Sequence, residues 1–145
     1  MGNGDQDSQE LAQFVYGETN YTEISTGSQH SCAIKDDGLL ACWGKFENTD
    51  DEGNDQEDLW DQGPENRSLP VGRTAVSVSS GGSHSCALLD NESVVCAGQN
   101  YDGQIGYGVT NDTNWVFEYA ILPPGKTAAA ISAGPRHTCA ILNDG

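Results

Sequence analysis

The sequence predicts an all-β protein built from repeated units of short antiparallel strands. A five-residue box occurs three times, as His30-Ser31-Cys32-Ala33-Ile34, His84-Ser85-Cys86-Ala87-Leu88 and His137-Thr138-Cys139-Ala140-Ile141. The cysteines of the three boxes are separated by 54 and then 53 residues, and a fixed period of this size is typical of solenoids, propellers and arrays. Composition agrees, because 18 glycines in 145 residues and the lack of a 3.6-residue apolar period favour strands and turns.

The likeness between the units extends beyond the box. They start at Ile24, Val78 and Ile131 and align without a gap as ISTGSQHSCAIKDDGLLACWG, VSSGGSHSCALLDNESVVCAG and ISAGPRHTCAILNDG. The second unit continues into the turn signature NYDGQIG, from Asn100 to Gly106. This pattern resembles the regulator of chromosome condensation repeat family, in a secreted form with paired cysteines (C-A-I followed by C-W-G). The resemblance implies blades of a seven-bladed β-propeller.

The fold class implied by the resemblance is a β-propeller with blades of short antiparallel strands. Seven units of the observed period need roughly 370 residues, so we expect fewer than three repeats and an incomplete propeller. Residues 1–23 are interpreted as a partial preceding repeat or N-terminal cap. We assign 24–77 to the first repeat with an acidic loop at 47–65, 78–130 to the second, and 131–145 to the truncated start of a third.

The family implies less about function than about fold. Its members range from a nucleotide exchange factor to a plant photoreceptor and a bacterial enzyme inhibitor, and one fold hosts many functions.

Each complete unit also predicts a hairpin closed by a pair of cysteines. The loop Asp36-Asp37-Gly38 suits a type I turn followed by a left-handed bulge, which needs the positive φ that glycine accepts. This loop places Cys32 opposite Cys42, and the same count places Cys86 opposite Cys96. Opposed β-carbons lie about 4.5–5.5 Å apart, near disulfide distance, so we predict two disulfides, with free buried thiols as the alternative. Cys139 is the odd cysteine, either unpaired or intermolecular.

The charge of the chain restricts its partners. With 22 acidic and 6 basic residues the net charge is −16, which disfavours nucleic acid and anionic membrane surfaces because both recruit clustered Lys and Arg. No stretch approaches the roughly 18 apolar residues of a membrane span, so we expect no membrane insertion.

The acidic residues concentrate between Glu47 and Glu65, where no Lys or Arg occurs. Oxygen ligands for calcium are available there, but the EF-hand pattern fails because its twelfth position is Leu59. We therefore favour a solvated acidic loop over a calcium site. The weak calcium candidates are Asp50, Glu52, Asn54, Asp55 and Asp58.

The repeated box could suggest catalysis, because a His and a Cys two residues apart on a strand point the same way, as a base and a nucleophile or two metal ligands do. A catalytic centre is normally unique in a chain, whereas this pair recurs with the architecture. We predict that each histidine bonds a backbone group inside its own blade, and that the protein has no enzyme activity, cofactor or metal. The repeat-structural residues are His30, His84, His137, Gly27, Gly81 and Gly134.

Four sequons predict N-glycosylation at Asn20, Asn66, Asn91 and Asn111, each in a predicted turn or linker. Sequons and paired cysteines both indicate an oxidising secretory compartment. The N-terminal residues lack the basic start and apolar run of a secretory signal. The expected location is therefore secreted or at the cell surface, with this chain as an internal piece of a longer precursor.

These observations predict a non-enzymatic structural or adhesive repeat protein of an extracellular, glycosylated assembly, such as a fibre subunit. Its expected partners are other copies of itself or further repeats of a longer chain. The alternative is a recognition propeller that binds a protein or glycan through its loops. A guanine nucleotide exchange factor is disfavoured by the acidity, the paired cysteines and the sequons.

Overall fold

The computed structural model describes residues 20–45, 63–110 and 113–145, and in these ranges the chain forms three antiparallel sheets and no helix. The first sheet has the order β1 (Tyr21–Thr26), β2 (His30–Lys35), β3 (Leu40–Gly44) and β4 (Glu65–Arg67). The second repeats it as β5 (Ala75–Ser80), β6 (His84–Leu89), β7 (Val94–Gln99) and β8 (Thr113–Tyr119). The third pairs β9 (Ala128–Ala133) with β10 (Thr138–Leu142). Two four-stranded blades and part of another make an incomplete propeller, which confirms the predicted fold class.

The β2–β3 and β6–β7 hairpins have the register that the sequence predicts, with Cys32 paired to Cys42 and Cys86 to Cys96. In the first turn Gly38 has a φ of 79°. Such a positive φ is readily adopted by glycine because it has no β-carbon.

The second hairpin turns with Glu92 at the position of that glycine, at a φ of 64°. This conformation is uncommon for a residue with a side chain. The following sheet holds Glu92 in place, because Ala128 N–H donates to the Glu92 carbonyl at 2.8 Å and the Thr127 hydroxyl donates to its carboxylate at 2.6 Å. The turn therefore belongs to the contact between two sheets as well as to its own hairpin.

The central strand β6 is buried along all six residues. Successive residues of a strand point to opposite faces, so a sheet covered on both sides needs apolar residues at consecutive positions. On one side, Ala87 and Val95 share an apolar cluster with Ile34 of the first sheet. On the other side, Leu88 shares a second cluster with Ala128 of the third. The sheets thus stack face to face, as blades do.

The linkers between sheets contain the basic residues that the repeat shares. Arg73 N–H donates to the Pro70 carbonyl at 3.0 Å and closes a tight turn. The Arg73 guanidinium lies 3.4 Å from Asp90, in the hairpin turn of the following sheet. Lys126 of the next linker pairs in the same way with Asp144. Both ion pairs are exposed, so each stabilises the fold by no more than about 1 kcal/mol.

The outer strands β4 and β8 are missing from the sequence prediction. Glu65, which the sequence analysis assigns to the acidic loop, starts β4 and pairs with Cys42. Residues 46–62 lie outside the described ranges, so the weak calcium candidates Asp50, Glu52, Asn54, Asp55 and Asp58 stay untested; the sequon residue Asn111 also lies outside those ranges.

Candidate functional site at the contact between successive sheets

The histidine of each complete blade lies at the contact with the next sheet. His30 Nε2 lies 2.8 Å from Ser85 Oγ, and His84 Nε2 lies 2.9 Å from Thr138 Oγ1. The two side chains are buried, with 3% and 0% exposure. The sequence predicts a backbone partner in the same blade, whereas Nε2 of each ring reaches a hydroxyl group of the neighbouring sheet.

The direction of the second of these bonds follows from its surroundings. The Thr138 hydroxyl donates to the Gln104 carbonyl at 2.9 Å, so its single proton is already used. His84 Nε2 must then be the donor to Thr138 Oγ1. A neutral His84 ring therefore carries its proton on Nε2, as assigned from this network.

Burial keeps both rings uncharged. The pKa of His30 is lowered from 6.5 to about 4. Desolvation is the main cause of this shift, and repulsion from His84 is the second. Desolvation likewise lowers the pKa of His84 to about 4, with repulsion from His137 as the second cause. Neutral imidazoles therefore occupy this contact at physiological pH, and no buried charge has to be compensated.

The glycines of the repeat lie against these rings. A β-carbon on Gly81 would be 2.3 Å from His84 Cε1 and 2.4 Å from the Gly134 carbonyl oxygen of the next sheet. A β-carbon on Gly27 would be 2.3 Å from His30 Cε1 and 2.5 Å from the Gly81 carbonyl oxygen. Any side chain at these two positions would push the histidine ring and the neighbouring backbone apart.

Disulfides close both complete hairpins. Cys32–Cys42 and Cys86–Cys96 each have Cα atoms 4.1 Å apart, and all four residues are between 0% and 1% exposed. The pairing that the hairpin register predicts is confirmed. Cys139 is a free and exposed thiol.

The hydroxyl group that lies beside each histidine ring also contacts a disulfide. Cys32 Sγ lies 3.4 Å from Ser85 Oγ, and Cys86 Sγ lies 3.5 Å from Thr138 Oγ1. One hydroxyl group thus contacts both the histidine ring and a disulfide sulfur of the preceding blade. This role is absent from the sequence prediction, although a signal was present: all three boxes carry a hydroxyl residue at the second position of an otherwise apolar run, namely Ser31, Ser85 and Thr138.

Three of the four sequon asparagines fall in the described ranges, and all three are exposed: Asn20, Asn66 and Asn91. Asn91 sits in the hairpin turn, where its Oδ1 accepts from Ser93 N–H at 3.3 Å and from the Ser93 hydroxyl at 2.7 Å. Asn66 Oδ1 accepts from Lys35 Nζ.

Other chemistry is sparse in the part of the chain that the structure describes. That part contains no group of three His, Cys, Asp or Glu side chains placed to hold a metal ion. It also contains no helix with the length and apolar character needed to cross a membrane.

A polar cavity of about 320 Å³ lies among loops of all three sheets, and Ser28, Ser83, Tyr101, Asp102 and Arg136 are among its lining residues.

The repeat is recognised independently of this geometry. The family model of the regulator of chromosome condensation (RCC1) repeat matches residues 21–50 and 75–104. Two segments of the chain thus match this repeat. Each matched segment covers the first three strands of a blade, including the histidine, the disulfide and the box glycine described above.

Solved structures with the same fold include RCC1-type propellers. Human WBSCR16 has 17% identity and a TM-score of 0.69, covering 84% of this chain and 31% of its own. Prp20p of Saccharomyces cerevisiae has 18% identity and a TM-score of 0.69, and the match covers 94% of this chain and 35% of Prp20p. The ectodomain of the Physcomitrella patens receptor kinase CR4 has 24% identity and a TM-score of 0.57, and the match covers 97% of this chain and 32% of the ectodomain. The chain therefore spans about a third of each of these structures.

Proposed function

We propose that this RCC1-repeat chain is a non-enzymatic structural or adhesive module of an extracellular, glycosylated assembly. The observation that carries the proposal is the pair of disulfides buried between the sheets. Disulfides persist in oxidising compartments and are rare in the cytosol, where thiols are kept reduced. Both repeats have this disulfide at the equivalent position, so the disulfide is a feature of the repeat and not of a single site.

The sequons support an extracellular location. Asn20, Asn66 and Asn91 are exposed, as an attached glycan requires. The likeness to the CR4 ectodomain supports the same location, because in that receptor kinase the similar fold forms the ectodomain.

The contacts of the box residues support a non-catalytic role. Four of the five cysteines are held in buried disulfides, so their sulfurs are not available as nucleophiles. The His30 and His84 side chains bond hydroxyls of a neighbouring sheet and are shielded from solvent. The residues that resemble a catalytic pair therefore join one blade to the next.

A recognition propeller that binds a protein or glycan through its loops is the second candidate. The polar cavity among the loops of the three sheets favours it, and Prp20p is described with binding properties towards Gsp1p and histones. The two candidates share an extracellular location and a protein partner. An exchange factor remains disfavoured because this chain has a net charge of −16 and disulfide-bonded repeats.

Glycopeptide analysis of the protein isolated from its native host tests the location. We expect N-glycans on several of the sequons at Asn20, Asn66, Asn91 and Asn111, because the three that the structure describes are exposed. Surface labelling of intact cells in the same preparation should modify the protein. All four asparagines unmodified, in a protein recovered only from the cytosol, would contradict the proposal.

A further inference from the structure

The loop between the first two strands of each sheet varies where the rest of the unit repeats. The residues between the repeated glycine and the repeated histidine are Ser28-Gln29, Gly82-Ser83 and Pro135-Arg136 in the three units. The glycines and histidines of the complete blades pack at the contact between sheets. The side chains at the two variable positions differ from unit to unit, so the stacking of the sheets does not account for them.

The variable residues of the three loops come together on one surface. All of them except Gln29 line the polar cavity of about 320 Å³. The loops lie side by side because Ser28 N–H donates to the Gly82 carbonyl at 3.3 Å and Gly82 N–H donates to the Pro135 carbonyl at 3.2 Å. The volume of the cavity is at the lower end of the range of about 300–1,000 Å³ that is typical of small-molecule sites.

The turn between β7 and β8 forms the rest of the cavity and is held in place from within. Tyr101, Asp102 and Gln104 of this turn line the cavity. Asn100 at the start of the turn is fully buried, and its Nδ2 donates to the Val109 carbonyl at 2.6 Å. A turn fixed in this way is already ordered before a ligand binds, which lowers the entropic cost of binding.

Gln104 gives the cavity a nearly buried polar group. Its side chain is 6% exposed, and its Oε1 accepts from Asp102 N–H at 2.9 Å. This bond assigns the orientation of the amide, since a backbone N–H needs an acceptor. The Gln104 carbonyl accepts from the Thr138 hydroxyl at 2.9 Å. Neither bond uses the two N–H donors of Nε2, so these donors remain available to a ligand in the cavity.

The other lining groups favour a neutral ligand rich in hydroxyl groups. The carboxylate of Asp102 lies 3.7 Å from the guanidinium of Arg136, so the two charges of the cavity compensate each other. The net charge of −16 disfavours an anionic ligand. Tyr101 is 40% exposed and presents an aromatic ring at the cavity. A sugar ring combines hydroxyl groups, which need donors and acceptors together, with an apolar C–H face, which packs on an aromatic ring.

The described sequons lie at the opposite end of the strands. Successive turns of an antiparallel sheet alternate between its two ends. Asn91 lies in the β6–β7 turn, and the Asn20 carbonyl accepts from Asp36 N–H beside the β2–β3 turn. Asn66 bonds Lys35, the last residue of β2. The cavity lies at the other end, beside the β1–β2 and β5–β6 loops, so glycans on these three asparagines leave it open.

We propose that this cavity binds a neutral saccharide unit, a hexose or an N-acetylhexosamine, of a glycan. This inference rests on the proposed adhesive role and names the class of ligand through which that role is performed. Gln104 Nε2 and the Ser83 hydroxyl bond the sugar hydroxyl groups. The Asp102 carboxylate accepts from another sugar hydroxyl, and the Tyr101 ring packs against the C–H face.

Saturation-transfer NMR and calorimetric titration of the oxidised chain test the proposal, after enzymatic removal of its own N-glycans. The probes are methyl α-mannoside, the methyl glycoside of N-acetylglucosamine and, as an anionic comparison, glucuronate. We expect at least one neutral probe to bind with a millimolar dissociation constant and glucuronate to bind more weakly. Tyr101→Ala and Asp102→Asn should each weaken binding by about tenfold, as the loss of one good contact does.

Two variants elsewhere on the surface are the matched controls. Asp90 forms a similar exposed ion pair with Arg73 at 3.4 Å, and Tyr119 is 45% exposed on β8. Asp90→Asn and Tyr119→Ala should therefore bind the probe like the parent chain. The unfolding midpoint of every variant is measured as well, and a loss of binding at an unchanged midpoint supports a contact with the sugar.

The same ligand chemistry has two sources, an N-glycan of another copy or a glycan of another molecule. Light scattering of the glycosylated chain separates them. A mean mass that rises with concentration and falls on addition of the free probe indicates the first source. A constant mass with the free probe still bound indicates the second source.

Failure of every neutral probe to bind at tens of millimolar would overturn the inference. Equal binding by the parent chain, Tyr101→Ala and Asp102→Asn would also overturn it. In either case, disulfides and N-glycans found on the native protein would still support the proposed extracellular role. Saccharide binding by a protein that has free thiols and bare sequons in its host would support the inference and contradict that role, so the two failures are distinguishable.

Discussion

Replacing Cys86 and Cys96 together by alanine is expected to lower the free energy of unfolding by about 2–3 kcal/mol, the usual contribution of a disulfide that closes a short loop. The loss should be at least this large, because both sulfurs are buried between the second and third sheets. Removing them also leaves space that the surrounding side chains fill only in part. Denaturant unfolding of the oxidised chain, with and without the double substitution, measures the difference.

The control is Cys139→Ala, which removes an exposed thiol without a partner cysteine. Substitutions at exposed positions usually change stability by no more than about 0.5 kcal/mol, so this variant should unfold like the parent chain. Adding reductant should destabilise the parent chain and leave the double variant less affected. A double variant as stable as the parent would show that the hairpin does not depend on its disulfide.

Acidification from pH 7 to pH 5 is expected to destabilise the fold by about 2 kcal/mol for each of His30 and His84. The pKa of each histidine is lowered in the folded chain to about 4, below the value near 6.5 of an unfolded chain. Between these values the unfolded state binds more protons, so stability is complete above about pH 6.5 and is lost as the pH falls towards 4. The midpoint of denaturant unfolding, measured between pH 7 and pH 5, follows this loss while carboxylates stay mostly ionised.

Variants of the same residue type separate the buried rings from the exposed one. His84→Asn should reduce the dependence of stability on pH in this range, since it removes one of the two buried histidines whose pKa is lowered in the folded chain. His137→Asn should leave most of that dependence in place because His137 is exposed. A parent chain equally stable at pH 5 and pH 7 would contradict the buried, neutral histidines.

The hairpins could be predicted because their determinants are local. A three-residue turn whose last residue, Gly38 or Glu92, has a positive φ fixes the register. The register brings Cys32 to Cys42 and Cys86 to Cys96. Both pairs are separated by 10 residues in sequence. Local turn chemistry therefore determines the disulfides before the sheets stack.

The histidine contacts could not be predicted in the same way. His30 and Ser85 are 55 residues apart in sequence. Their contact depends on how two sheets stack on each other. The repeat predicts a structural histidine, but a repeated residue does not reveal whether its partner lies inside its own unit or in the next. The hydroxyl at the second box position was the available signal.

The outer strands were missed for two different reasons. Strand β4, Glu65–Arg67, is three polar residues long, so it has neither apolar alternation nor a strand composition to recognise. Strand β8 reads TNWVFEY, and its aromatic and β-branched residues are typical of strands. That signal was present in the sequence, and Phe117 is buried in the cluster between the first two sheets.

The central claim is that these repeats are disulfide-bonded modules of an oxidising, extracellular location. Alkylation of the native protein without reductant, followed by peptide mapping, tests it most directly. The account predicts Cys32 joined to Cys42, Cys86 joined to Cys96, and Cys139 either alkylated or linked to another chain. Recovery of Cys32 or Cys86 as alkylated free thiols from native material would contradict it.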